Sequence, residues 1–103
     1  MNENTENKIK NMIKENKVFL FMKGSPEMPM CGFSFRVARL LKDLNVDFAT
    51  FDVLSDNEVR EGIKEFTNWP TIPQLYVDEK FVGGCEIVEE LFHDGELEKI
   101  VTN

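Results

Sequence analysis

The strongest constraint on the fold is the uninterrupted apolar run Val18–Met22. Its five residues have the length of a strand, and the lack of alternation with polar residues is typical of a strand covered on both faces. Such a strand lies in a sheet that has helices packed against both sides. The run therefore predicts an α/β protein.

Helical and strand-like patterns alternate through the rest of the chain. A polar N-terminus, residues 1–8, is expected to be frayed. The predicted elements then follow in this order: a short helix marked by Ile9, Met12 and Ile13; the strand 18–22; a helix over 34–44; a strand over 46–53; a helix started by the capping box Ser55–Glu58; a hairpin of strands 74–77 and 80–82; a helix marked by Ile87, Val88, Leu91 and Phe92; and, after Gly95, a last segment with Leu97, Ile100 and Val101. This order predicts one domain, 1–103, with a small four-stranded mixed sheet sandwiched by helices.

The composition argues against several classes of protein. With 103 residues, 42% of them apolar, the chain can bury a core without disulfide bonds, and its two cysteines suit a reducing compartment. The net charge of −7 argues against a nucleic-acid binder, although it allows a local basic pocket for an anionic ligand. No apolar run approaches the ~18 residues of a membrane span, and no signal or transit pattern begins the chain. We expect a cytoplasmic protein without membrane contact, or an organelle-matrix protein if the sequence has been trimmed.

Cys31 is the leading candidate for a reactive residue. It follows the strand 18–22 and a loop containing Pro26 and Pro29, and it opens a helix. At such a position free N–H groups and the helix dipole favour the thiolate, which attacks disulfides and binds soft metals. The residue three positions on is Ser34, which cannot form a disulfide. Cys31 is therefore expected to act as a single thiol.

Other roles for Cys31 fit the sequence less well. Free cysteine is often a small buried apolar residue, but the strand before it and the glycine and helix after it argue against that role here. A phosphatase loop needs an arginine six residues after the cysteine, where this chain has Val37. A papain-like dyad needs a histidine base, and the only histidine, His93, lies where a C-terminal helix is expected to end.

Several motifs, in the right order, resemble those of the monothiol glutaredoxins: Lys23, Cys31–Ser34, Trp69–Val77 and Phe81–Cys85. The similarity covers nearly the whole chain and is closest to the single-domain class bearing Cys-Gly-Phe-Ser. It implies the thioredoxin-like (glutaredoxin) fold, glutathione binding, and a [2Fe–2S] cluster held between two subunits. It also implies the assembly and transfer of iron–sulfur clusters to apo acceptor proteins, often with BolA-type partners, and only weak thiol–disulfide activity.

The resemblance implies a glutathione site formed by Lys23, Phe33, Arg60, Lys64, Thr71, Ile72, Pro73, Gly84, Cys85 and Glu86. Lys23, Arg60 and Lys64 match family positions that meet the glycine carboxylate of glutathione. Arg60 and Lys64 are also an i, i+4 pair on one helical face. Without the resemblance, solvated surface charges would be the simpler interpretation of this pair.

Two loops are expected to present backbone groups to glutathione. Thr71–Pro73 resembles the loop whose proline is cis in this fold, and the exposed N–H and C=O of Ile72 then pair with the ligand as an added strand. Gly84 allows a close approach, and the N–H groups of Cys85 and Glu86 can capture the γ-glutamyl carboxylate. The family usually has aspartate where this chain has Glu86, which leaves the contact of that side chain with the ligand's ammonium open. Trp69 is interpreted as a packing residue.

A count of thiolates limits how a cluster could bind. A [2Fe–2S] centre usually takes four thiolates, and this chain supplies only Cys31 and Cys85. Two chains reach four either by using both cysteines or by pairing each Cys31 with one glutathione thiol. The resemblance implies the second arrangement, in which Cys31 is the protein's cluster ligand and Cys85 is a structural or occasional redox residue.

Two functions therefore remain open. The first is a cluster carrier that works as a glutathione-bridged homodimer, and the second is a glutathione-dependent oxidoreductase that removes glutathione from mixed disulfides through Cys31. The long loop Gly24–Met30 and the serine at position 34 favour the carrier.

Overall fold

The computed structural model describes the whole chain, Met1–Asn103. Its elements are α1 (Glu3–Glu15), β1 (Val18–Met22), α2 (Gly32–Asp43), β2 (Ala49–Asp52), a 3₁₀ turn (Val53–Ser55), α3 (Asn57–Thr67), β3 (Gln74–Val77), β4 (Lys80–Gly83), α4 (Cys85–His93) and α5 (Glu96–Thr102). None of these helices has the length and hydrophobicity that crossing a membrane requires.

The four strands form one mixed sheet in the order β2-β1-β3-β4. The β1–β2 pair is parallel, whereas β1–β3 and β3–β4 are antiparallel. The predicted four-stranded mixed sheet is therefore confirmed, and the hairpin lies where the sequence places it.

Strand β1 supplies both faces of the core, which explains its continuous hydrophobicity. Val18, Leu20 and Met22 belong to the cluster packed against α2, α4 and α5, whereas Phe19 and Phe21 belong to the cluster packed against α1 and α3. Successive side chains of a strand point to opposite faces, so a strand with helices on both sides needs an apolar residue at every position.

The prediction that residues 1–8 are frayed is wrong. Helix α1 begins at Glu3, and the side chain of Asn2 caps it by accepting a hydrogen bond from the Thr5 N–H at 2.7 Å. The Thr5 side chain is buried against α3, where a side chain at Gly62 would meet its Cγ2 at 3.0 Å. A good N-cap and a close helix contact thus order a segment whose other residues are polar.

Three predicted boundaries also shift. The strand expected over 46–53 is only Ala49–Asp52, and it ends where the Asp52 side chain caps the following 3₁₀ turn by accepting from the Leu54 N–H at 2.9 Å. The helix expected over 34–44 begins two residues earlier, at Gly32. Helix α3 is capped by Asp56, which accepts from the N–H groups of Glu58 and Val59, and not by Ser55.

Candidate functional site

A pocket of about 600 Å³ lies where the ends of several elements meet, and this volume falls in the range of small-molecule sites. Lys23 follows β1, Cys31 precedes α2, and Lys64 lies in the last turn of α3. The loop 69–73 and the start of α4 complete it. Its lining is Lys23, Cys31, Phe33, Lys64, Trp69, Pro70, Thr71, Ile72, Pro73, Gly84, Cys85, Glu86 and Ile87.

The pocket contains every residue predicted for the glutathione site except Arg60. Arg60 lies one turn before Lys64 on α3, and its Nε atom is buried without a hydrogen-bond partner. Lys64 forms an exposed ion pair with Glu61 at 3.2 Å. The structure therefore brings Lys23 and Lys64 to the pocket as cations and leaves Arg60 outside its lining.

Cys31 is the N-cap residue of α2, and its thiol is partly exposed. Its side chain does not cap the helix with a hydrogen bond of ordinary geometry. Partial burial is the largest single influence and acts to raise the pKa of the Cys31 thiol, but four neighbouring groups together outweigh it, beginning with the N–H groups of Ser34 and Phe33. The Ser34 hydroxyl and the positive charge of Lys23 act in the same direction, so the pKa lies below the ordinary value of a thiol.

Ser34 has a structural role that the sequence does not reveal. The residue is fully buried, and its hydroxyl oxygen accepts a hydrogen bond from the Lys23 N–H at 3.0 Å. This bond fastens the first turn of α2 to the end of β1. The serine that removes the dithiol route thus also fixes Cys31 against the strand.

The loop Gly24–Met30 folds back on itself beside Cys31. Ser25 and Met28 exchange backbone hydrogen bonds at 3.1 Å in each direction, and the Met30 N–H donates to the Lys23 carbonyl at 2.9 Å. The Gly24 N–H donates to the Asp52 carboxylate at 2.8 Å. Met28 and Met30 are 70% and 63% exposed, and Phe33 is 54% exposed. Exposed apolar side chains therefore lie both in the loop before Cys31 and in the first turn of the helix after it.

Cys85 lines the same pocket but has different partners. Its thiol lies 3.5 Å from Glu89 Oε1, and Arg36 of α2 holds that carboxylate with bonds of 2.7 and 3.1 Å. Burial raises the pKa of the Cys85 thiol, and the Glu89 carboxylate raises it further, whereas Arg36 acts in the opposite direction. The net shift is upward, so Cys85 is held as a protonated thiol.

The loop 69–73 presents backbone that the fold leaves unpaired. The Ile72–Pro73 peptide bond is cis, and Ile72 takes part in no backbone hydrogen bond of the fold. Trp69 packs on Phe81 with ring centroids 5.5 Å apart, as its interpretation as a packing residue requires. Trp69 also lines the pocket, and its buried Nε1 has no acceptor. This second feature of Trp69 was missed, because a sequence does not show whether a buried donor has a partner.

Gly84 has no side chain between its backbone and the neighbouring pocket residues. A Cβ atom at this position would lie 3.0 Å from Trp69 Nε1 and 3.4 Å from the Pro73 carbonyl oxygen. Glu86, the residue that departs from the family's aspartate, is exposed at the start of α4. Unpaired donors, two cations and an open approach to the backbone together suit an anionic, peptide-like ligand.

Comparisons with known proteins agree with this geometry. The glutaredoxin family model matches residues 18–82. The chain is 55% identical over 93 residues to "Probable monothiol glutaredoxin 2" of Rickettsia typhi, which covers 90% of this chain and 84% of that protein. It is 50% identical over 101 residues to a monothiol glutaredoxin of Synechocystis, covering 98% and 94%.

Solved structures agree as well. Reduced apo GrxS14 from poplar superposes with a TM-score of 0.81 at 42% identity, covering 91% of this chain and 86% of that one. A buckwheat glutaredoxin–glutathione complex gives a TM-score of 0.87 at 23% identity, covering 97% and 89%, which supports the fold alone. The chain therefore belongs to the glutaredoxin family, and within it to the monothiol glutaredoxins.

Proposed function

We propose that this monothiol glutaredoxin binds glutathione in the described pocket and carries a [2Fe–2S] cluster between two copies of the chain, with Cys31 and one glutathione thiol from each copy as the ligands. The observation that carries the proposal is the state of the two thiols in one pocket. Cys31 has a lowered pKa and is open to solvent, whereas Cys85 is buried and held protonated by Glu89. One thiolate per chain is available, so a second thiolate has to come from elsewhere.

The pocket supports glutathione as the source of that thiolate. Lys23 and Lys64 offer positive charge to a carboxylate, and the unpaired N–H and C=O of Ile72 suit the peptide backbone of the ligand. The start of α4 after Gly84 offers free N–H groups to the second carboxylate. The proposed site also includes Arg60, because its buried Nε lacks a hydrogen-bond partner and a bound carboxylate would supply one.

The exposed apolar surface around Cys31 supports the homodimer. Met28 and Met30 in the loop before Cys31, and Phe33 in the helix after it, are each more than half exposed. Contact between two such surfaces would remove apolar side chains from water and shield a cluster from solvent. The same face is our candidate for docking apo acceptor proteins and a BolA-type partner.

A second function, glutathione-dependent oxidoreduction, uses the same thiolate. Cys31 would attack the glutathione sulfur of a mixed disulfide, releasing the substrate thiol and forming a Cys31–glutathione disulfide. A second glutathione would then reduce that disulfide, leaving oxidised glutathione and the free Cys31 thiol. The lowered pKa of Cys31 favours this activity, and the absence of a resolving thiol at Ser34 limits it to the monothiol route.

Anaerobic reconstitution with iron, sulfide and glutathione separates the two functions. We expect a brown dimer containing one cluster and two glutathiones by native mass spectrometry. The cluster should be absent in Cys31→Ala, present in the matched control Cys85→Ser, and absent when glutathione is omitted. A cluster in Cys31→Ala, or a monomeric holo-protein without glutathione, would contradict the carrier and leave the oxidoreductase as the better proposal.

A further inference from the structure

A single buried amide lies beneath the loop 69–73. Gln74 is the first residue of β3 and is fully buried. Its Nε2 donates to the carbonyl oxygens of Trp69, at 3.1 Å, and Thr71, at 3.2 Å. Gln74 itself does not line the pocket. It therefore acts on the loop without lining the space that a ligand would occupy.

The other end of the same amide is fixed by two hydroxyl groups. The Gln74 Oε1 atom accepts from the Tyr76 hydroxyl at 2.9 Å. It also shares the single proton of the Thr67 hydroxyl, 3.1 Å away, with the Ile63 carbonyl oxygen at 3.0 Å. Burial raises the pKa of Tyr76, so its hydroxyl keeps the proton that it donates. A reversed amide would place its oxygen against the two loop carbonyls. Only one orientation of the amide satisfies all of these groups.

This network holds the carbonyl groups on either side of backbone that is otherwise anchored by the buried Ile72 side chain and by the Trp69 N–H, which donates to the Lys64 carbonyl at 2.9 Å. Ile72 lies between Thr71, whose carbonyl Gln74 holds, and Pro73, and it makes no backbone hydrogen bond of its own. Thr67 ends α3, so the amide also ties the loop to the helix that carries Lys64. Movement of Thr71 would move the Ile72 N–H and C=O with it.

We propose that Gln74 is a positioning residue for ligand binding: its amide holds the Trp69 and Thr71 carbonyls so that the backbone of Ile72 faces the pocket in the geometry that pairs with glutathione. This inference rests on the proposed glutathione site. It assigns a role in binding to a side chain that never contacts the ligand.

The test uses Gln74→Glu and, because an ionised carboxylate could prevent folding, Gln74→Met as a second variant. Glutamate keeps the size and the acceptor oxygens but loses the two N–H donors, and methionine has a similar length without any polar group. We expect reduced glutathione to bind each variant about tenfold more weakly by titration calorimetry, since misplaced backbone weakens about one to two hydrogen bonds. Hydrogen exchange at Thr71 and Ile72 should be faster.

The matched control is Val77→Ala, at the other end of β3. Val77 is buried in the core cluster on the face of the sheet opposite to Gln74, and it makes no hydrogen bond to the loop 69–73. The Val77→Ala substitution should lower the melting temperature while leaving the affinity for glutathione within about twofold of the wild type, because a cavity at position 77 does not move the loop. All affinities are measured where circular dichroism shows each variant fully folded.

The possible failures are distinguishable. If the wild type does not bind glutathione, the proposed function fails and this inference fails with it. If the wild type binds and the folded Gln74 variants bind equally well, only the inference is overturned. Equal weakening by Val77→Ala would also overturn it, because the effect would then follow from lost stability.

Discussion

Cys31 and Cys85 lie at the starts of two helices, line one pocket, and have opposite chemistry. The pKa of Cys31 is lowered, and that of Cys85 is raised. Both positions bring a thiol near the positive end of a helix dipole, which favours the thiolate. The dipole is therefore not what distinguishes them.

The difference comes from burial, from hydrogen bonds of the backbone and from the neighbouring side chains. Cys31 is partly exposed and has the N–H groups of Ser34 and Phe33 beside it, with the Ser34 hydroxyl and Lys23 acting in the same direction. Cys85 is 8% exposed and lies 3.5 Å from the Glu89 carboxylate. A carboxylate accepts a hydrogen bond from the protonated thiol and repels the charge of the thiolate, so both effects raise the pKa of the thiol. The start of a helix creates the possibility of a reactive cysteine, and burial together with the N–H groups and side chains around the thiol determines whether the thiolate forms.

The largest expected effect is on the rate of alkylation. Cys31→Ser should reduce labelling by iodoacetamide at neutral pH by at least about tenfold, because the remaining thiol is protonated and buried. Cys85→Ser, the matched control, should leave the fast phase nearly unchanged. Mass spectrometry of the labelled peptides measures both. If the fast phase of labelling belonged to Cys85, the assignment of Cys31 as the reactive thiol would be wrong.

A smaller effect is expected when the carboxylate next to Cys85 is neutralised. Glu89→Gln keeps the size of the side chain but removes the charge that raises the pKa of Cys85. In a Cys31→Ser background, Cys85 should then react about threefold faster at neutral pH. Glu90→Gln, the exposed neighbour on α4, serves as the control. Equal rates in the two variants would mean that burial alone keeps Cys85 unreactive.

Removal of the Ser34 hydroxyl tests how much this group contributes to the lowered pKa of Cys31. Ser34→Ala leaves the Lys23 N–H without its acceptor, which should cost about 1–3 kcal/mol in the free energy of unfolding. The pKa of Cys31 should rise, because the hydroxyl helps to lower it. Urea unfolding and the pH dependence of alkylation measure the two effects. Ser25→Ala, which removes an exposed loop hydroxyl, is expected to change neither to the same extent.

The smallest effect is on how stability depends on pH. A thiol whose pKa is lower in the folded state than in the unfolded state stabilises the fold above the unfolded pKa, and this stability is lost as the pH falls through the folded pKa. A thiol whose pKa is raised in the folded state stabilises the fold at low pH, and this stability is lost as the pH rises through the folded pKa. Between about pH 7.5 and about pH 9.5, which span the ~8.5 of a free thiol, Cys31→Ser should therefore make stability fall more with rising pH than in the wild type. Cys85→Ser should do the opposite. Parallel pH curves for the two variants would contradict the assignment.

Much of the fold could be predicted because its signals are local. The apolar run Val18–Met22 and the hairpin 74–83 depend on residues that lie close together in the sequence. The order of the N-terminus could not be predicted, because it depends on the packing of Thr5 against Gly62, which lies far along the chain. The N-cap of α3 differs from the prediction for a similar reason. Ser55 and Asp56 are both acceptable N-cap residues, and only the path of the chain selects Asp56.

The candidate site divides in the same way. Cys31 and the loop 69–73 could be found from their motifs, whereas the roles of Ser34, Glu89 and Gln74 depend on hydrogen bonds between distant elements. Arg60 shows the limit of helical spacing. Its i, i+4 relation to Lys64 places both on α3, but only Lys64 reaches the pocket lining.

The comparison of the two thiols is tested most directly by a pH titration of the ¹³Cβ chemical shifts in protein labelled at cysteine, with Cys85→Ser providing the assignment. We predict two separate midpoints, with that of Cys31 below the ~8.5 of a free thiol and that of Cys85 above it. A shared midpoint, or the reverse order, would contradict the claim that this pocket contains one thiolate and one protonated thiol.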